Sequence, residues 1–110
     1  MNDDIKRDKL SIEYDGEKLN FDVDFGYING VYSEFNFSTG KNETIESYSV
    51  SVNTEKLDSK IFRELESISE NLNKFFNISL SLDGLSHQGK AKIAKKFGIG
   101  GFNIDVEIHS

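Results

Sequence analysis

Gly84-Leu85-Ser86-His87-Gln88-Gly89-Lys90 keeps the spacing Gly-x-x-x-x-Gly-Lys, the pattern of loops whose amides and lysine cradle a phosphate. The next residue is Ala91, where that pattern needs Ser or Thr to reach magnesium, so triphosphate hydrolysis is not expected. A weaker reading survives. Ser86 caps a short helix, and His87, Gly89 and Lys90 beside its N-terminus make a candidate site for a phosphate or carboxylate. The competing reading is a surface turn followed by a helix cap.

Other chemistry is thinly supplied. The chain has no Cys and only two His, His87 and His109, which excludes thiolate chemistry and nearly excludes a zinc site of His and Cys ligands. Asp22-Val23-Asp24 is not followed by a ligand-rich loop ending in Glu, as a calcium site would need. No carboxylate pair has one member in an apolar setting, the condition for acid–base work. No catalytic residue, metal ligand or cofactor is therefore expected, and the penultimate His109 is read as idle.

Charge is more telling. The chain of 110 residues has a net charge of −6. Residues 1–85 hold 17 acids against 9 bases, whereas the remainder has four lysines (Lys90, Lys92, Lys95, Lys96) against Asp105 and Glu107. An acidic body disfavours direct nucleic-acid binding, which is driven by Lys and Arg at phosphates. It suits a basic partner or simple solubility. Glu13, Asp22, Asp24 and Glu34 fall on the polar side of three early strands, with Glu34 expected beside Asp22 or Asp24. Like charges across strands cost stability, so such a face reads as a surface matched to positive charge. A merely solvated face is the alternative. Tyr27 and Tyr32, at its edge, are the aromatic anchors a contact would use.

The elements that must position these residues follow from periodicity. Leu10, Ile12 and Tyr14 alternate with polar residues, Asp15-Gly16 suits a two-residue type I′ turn, and alternation resumes through Leu19, Phe21, Val23 and Phe25. The turn sets Leu10 opposite Phe21, Ile12 opposite Leu19, Glu13 opposite Lys18 and Lys9 opposite Asp22. A loop over Gly26–Gly30, a third strand over Val31–Ser38 and a fourth through Tyr48, Val50 and Val52 complete a meander. Ile61, Phe62, Leu65, Ile68, Leu72, Phe75 and Phe76 mark one face of a helix, with Asp58 as N-cap and Leu57 and Phe62 as its staple. A short strand (Ile78, Leu80, Leu82), the turn Asp83-Gly84 and a lysine-rich helix ending at Gly98 come next. After Ile99-Gly100-Gly101 a last strand sends Phe102, Ile104, Val106 and Ile108 inward. The expected architecture is a single α+β domain over 1–110 in the order ββββαβαβ, its helices on one face of a mainly antiparallel sheet. Residues 1–8 are read as a frayed end.

These readings converge on a small, acidic, non-enzymatic interaction protein. It would block a basic surface, of a nucleic-acid-binding effector or a nuclease, by steric and electrostatic occupation. At class level only, such a chain resembles phage-encoded inhibitors of host defence such as anti-CRISPR proteins, and equally toxin-immunity proteins. The alternative is a phosphate- or nucleotide-binding domain using the 84–90 loop. No run approaches the ~20 apolar residues of a membrane span, and Met1–Arg7 lacks the apolar core of a secretory signal, so a cytoplasmic setting is expected. Pairing of an exposed last strand with itself would give a homodimer.

Overall fold

Two Asp-Gly turns organise the chain. Asp15 and Gly16 have φ of 52° and 80°, and Asp83 and Gly84 have 51° and 80°. Positive φ at both central residues is the type I′ signature, whose twist matches the strands it joins. The protein, described over residues 8–98 and 101–110 by a computed structural model, has six strands and one helix. They are β1 (Lys9–Tyr14), β2 (Glu17–Asn36), β3 (Lys41–Val52), α1 (Ser59–Glu70), β4 (Phe76–Leu82), β5 (Leu85–Lys96) and β6 (Phe102–His109). Every pairing is antiparallel, and the order β1-β2-β3-β6-β5-β4 closes on itself as a barrel.

Alternation sorts the residues. Leu10 and Ile12, Leu19, Phe21 and Val23, Tyr48, Val50 and Val52, Ile78, Leu80 and Leu82, Ala91 and Ile93, and the even residues of β6 from Phe102 to Ile108 all bury into one core. Each large aliphatic side chain so buried contributes about 1.5–3 kcal/mol. Helix α1 closes one end. Leu65 and Ile68 are fully buried in that core, and Phe62 stands edge-on to Phe102 at 5.6 Å. Asp58 Oδ1 accepts from the Ile61 amide at 2.9 Å, as an N-cap should, and Leu57 and Phe62 both pack against the core. The β1–β2 register matches that expected from the Asp15-Gly16 turn pair by pair.

The ββββαβαβ sandwich of helices and sheet does not form, for three physical reasons. First, Gly26–Gly30 is not a loop: β2 runs unbroken from Glu17 to Asn36 and absorbs two register shifts, between Val23 and Phe25 and between Ile28 and Gly30. A bulge takes up one extra residue and lets a strand bend without ending. Second, 85–96 is a strand, not a helix. Ala91 and Ile93 are buried while Lys90 and Lys92 lie outside, the period-two pattern that pairing with both β4 and β6 selects over a helical one. Third, α1 ends at Glu70, so Leu72 is exposed and Phe76 already belongs to β4. Strand β6 is also not an exposed edge: it lies between β3 and β5, which removes it as a dimer seam. Asp8 is tied down, its carbonyl accepting from the Val23 amide and its carboxylate from the Asp83 amide. The rest of the expected frayed end, 1–7, and the Ile99-Gly100 turn lie outside the described residues.

Candidate functional site

The barrel has one long appendage. β1 pairs with β2 only as far as Asp22, with one further bond from the Val23 amide to the Asp8 carbonyl. β2 and β3 continue together from Phe25 and Ser51 to Asn36 and Lys41; β3 keeps β6 as its other neighbour as far as Thr44 and Ser110, so β2 is the outer strand of this arm, on a molecule measuring 48 × 32 × 29 Å. Among the described residues, no backbone hydrogen bond reaches the β1-side edge of β2 beyond Val23. The Thr44 amide and carbonyl both bond to Ser110, on the β6 side of β3. Thr44 and its partner Ser33 are therefore a non-hydrogen-bonded pair, and the Ser33 N–H and C=O point away from β3 to the open edge. By the same alternation Val31 and Phe35 present theirs there too.

The arm is also where apolar surface is left in water. Phe25, Tyr27, Ile28, Val31, Tyr32, Phe35 and Phe37 are all exposed, which is seven of the eleven exposed large hydrophobic side chains among the described residues. Val31 is 58% exposed and Phe37 90%. Val31, Ser33 and Phe35 share one face of β2, and the Phe35 and Phe37 rings meet edge-on at 5.0 Å. Exposed apolar side chains on both faces of a strand, beside an edge that no described residue pairs, mark a contact surface.

The outer half of the arm is fixed by polar ties. Tyr32 donates from its hydroxyl to Glu107 Oε2 at 3.1 Å; burial first, then that bond, raises the phenol above its ordinary range. Glu43 accepts from Asn36 Nδ2 at 2.8 Å and lies 3.1 Å from His109 Nδ1, and these two partners, Asn36 foremost, hold its carboxyl below the usual range. His109 is thus engaged rather than idle. Its Nε2 is buried without a hydrogen bond, 3.9 Å from Glu107 Oε1, and Phe75 stands edge-on to the ring.

The four acids do not gather. Glu13 faces Lys18 and accepts from Asn77, Asp22 faces Lys9, and Asp24 accepts from Asn53 at 2.9 Å. Glu34 sits on the arm, roughly 35–40 Å along the same strand from Asp22 at about 3.3 Å per residue. It stands opposite Glu43 instead. The shared acidic face fails because its second and third strands are one strand. Of the six residues expected at the contact, Tyr27, Tyr32 and Glu34 share the arm, where Val31, Phe35 and Phe37, expected only as part of a third strand, join them as exposed side chains.

The phosphate-cradle reading fails too. Gly84 is in the turn and Ser86, His87, Gly89 and Lys90 alternate along β5, so no helix N-terminus presents amides there. His87 turns inward to the end of the barrel away from α1, where its Nδ1 lies 3.1 Å from the Tyr48 hydroxyl and its ring 5.0 Å from the Tyr48 ring. Tyr48 donates to Glu46 Oε2, so His87 Nδ1–H donates to the phenol oxygen. Burial, followed by the Glu46 charge, raises the Tyr48 phenol. Three of the four lysines of β5 have partners of their own: Lys92 lies over Phe75, Lys95 over Phe102, and Lys96 3.6 Å from Asp105.

No family model matches this chain, and no curated protein or solved structure matches it either. Among the described residues no helix is long and apolar enough to cross a membrane.

Proposed function

We propose that this protein is a non-enzymatic interaction module that engages a protein partner along the β2–β3 arm. The observation that carries this reading is the coincidence, among the described residues, of an unpaired strand edge with the run of exposed apolar residues from Phe25 to Phe37. A barrel has no free edge by construction, so an edge that persists outside it is a feature the closure could have removed. An extended segment added to such an edge gains main-chain hydrogen bonds, while alternate side chains supply selectivity. Charge gives the partner its sign. Glu34 lies opposite Glu43 on a chain of net −6, which suits a basic segment. Occupation of a nucleic-acid-binding or nuclease surface, as by a phage-encoded inhibitor of host defence, is the finer form of this reading, and net charge is its support.

The test is capture from lysate by the immobilised protein and by a variant carrying Val31→Ser, Phe35→Ser and Phe37→Ser. These side chains lie outside the barrel core, so thermal stability should hold while specific capture is lost, and what the wild type captures should elute with salt. A folded triple variant that captures the same proteins would overturn the assignment of the arm.

A further inference from the structure

The arm has an occupant that the chain itself supplies. We propose that two copies pair edge to edge through β2, antiparallel about Ser33, so that the two arms form a four-stranded sheet. This rests on the reading of the arm as a contact surface and names who fills it when the protein is alone.

Directly opposed residues must lie on the same face of a sheet, so a two-fold axis along β2 must pass through a residue rather than between two. The stretch from Gly30 to Asn36 is free of register shifts and can pair without interruption. An axis at Ser33 uses all of it. That register sets Val31 against Phe35 of the second copy twice over, joining exposed apolar side chains on one face. On the other face it sets Glu34 against Tyr32 rather than against itself. An axis at Glu34 would place two carboxylates in contact and shorten the pairing. An axis at Val31 would run into the register shift between Ile28 and Gly30. The backbone agrees: Val31, Ser33 and Phe35 are the residues whose N–H and C=O groups point to the open edge, so Ser33 and its symmetry mate exchange two hydrogen bonds at the axis.

Seven paired residues per copy are fewer than the roughly 20–30 a side of a standard interface, so the association is weak, with a dissociation constant on the order of micromolar or above. It is a resting state that a tighter partner can displace.

Cross-linking reads the axis directly. The chain has no Cys, so Ser33→Cys introduces a single thiol. In a hydrogen-bonded antiparallel pair the Cα atoms lie about 5.5 Å apart, within disulfide reach. Under mild oxidation Ser33→Cys should convert to a covalent dimer at least about tenfold faster than Lys18→Cys on the barrel wall. Sedimentation equilibrium should show the wild-type mass rising from 12.5 kDa towards twice that value with concentration. Ser33→Pro, which removes an amide that β3 does not use, should abolish the rise. The double variant Val31→Lys, Phe35→Lys should do the same, and Val31→Lys, Phe35→Glu should restore it. A Ser33→Cys rate equal to the control, or a mass fixed at the monomer value at every concentration, overturns the pairing. If that happens while the triple serine variant still loses its partner, the arm stands and the second copy is wrong. If that variant keeps its partner as well, both fall.

Discussion

Gly26 and Leu82 meet where β2 leaves the barrel: a Cβ on Gly26 would lie 2.8 Å from Leu82 Cδ2, closer than carbon atoms approach without displacement. The missing side chain lets Leu82 close the gap below β1, where β2 has lost its neighbour. Because the obstructing atom is the end of a mobile side chain, Gly26→Ala should cost about 1 kcal/mol, the low end for overpacking. Combined with Leu82→Ala, it should cost less than the two single changes summed, by about 1 kcal/mol in a denaturant double-mutant cycle. Strict additivity would show that the two sites do not touch.

The helix that seals the barrel depends on its first turn. Asp58 accepts from the Ile61 amide, and Asp58→Ala should lower stability by about 1 kcal/mol, read as a shift of the denaturation midpoint with an unchanged slope. Asp58→Ser should recover most of it. An Asp58→Ala protein as stable as the wild type would show that packing alone holds α1.

Acid should loosen the tip of the arm. The Glu43 carboxyl is held below its unfolded value, so its contribution is complete above the ordinary value near 4.3 and fades as pH falls through the lower folded one. Glu43→Gln should therefore flatten the stability profile between about pH 5 and 3. Amide exchange at Asn36 and Lys41 should report the same loss locally.

Base should act nearer the barrel, at Tyr48 within β3. The Tyr48 phenol is held above its unfolded value, so its contribution is complete below about 10 and lost as pH rises through the higher folded one. Tyr48→Phe removes the hydroxyl between Glu46 and His87 and should cost about 1 kcal/mol near neutrality. The gap between variant and wild type should narrow above about pH 10; a constant gap would place the effect in packing alone.

How much of this was legible residue by residue is instructive. The Asp15-Gly16 turn, the register it sets, the Asp58 cap and the inward set of β6 all follow from local rules, and the structure keeps them. Two misreadings share one cause. Gly26 and Asn29-Gly30 look like turn residues, yet here glycine makes room for Leu82 and Asn29 reaches Ser49, so both serve contacts that no local pattern reveals. In 85–96 the lysines and alanines favour a helix locally, and the two flanking strands override them. The contact surface was missed for the same reason. A loop over Gly26–Gly30 would turn Val31, Phe35 and Phe37 back onto the sheet. As a single strand, β2 carries them out into solvent.

The closure of the barrel sets how the chain must fold. Its two seams join Leu10 to Leu80 and Tyr48 to Val106, partners separated by the whole of α1. Neither three-stranded half can hide its greasy side until the other arrives, so the search for distant partners governs the rate, as it does in other topologies dominated by remote pairings. During that wait the strand that later forms the arm is already exposed, and a crowded ribosome or an overexpressing cell will test it before any intended companion does.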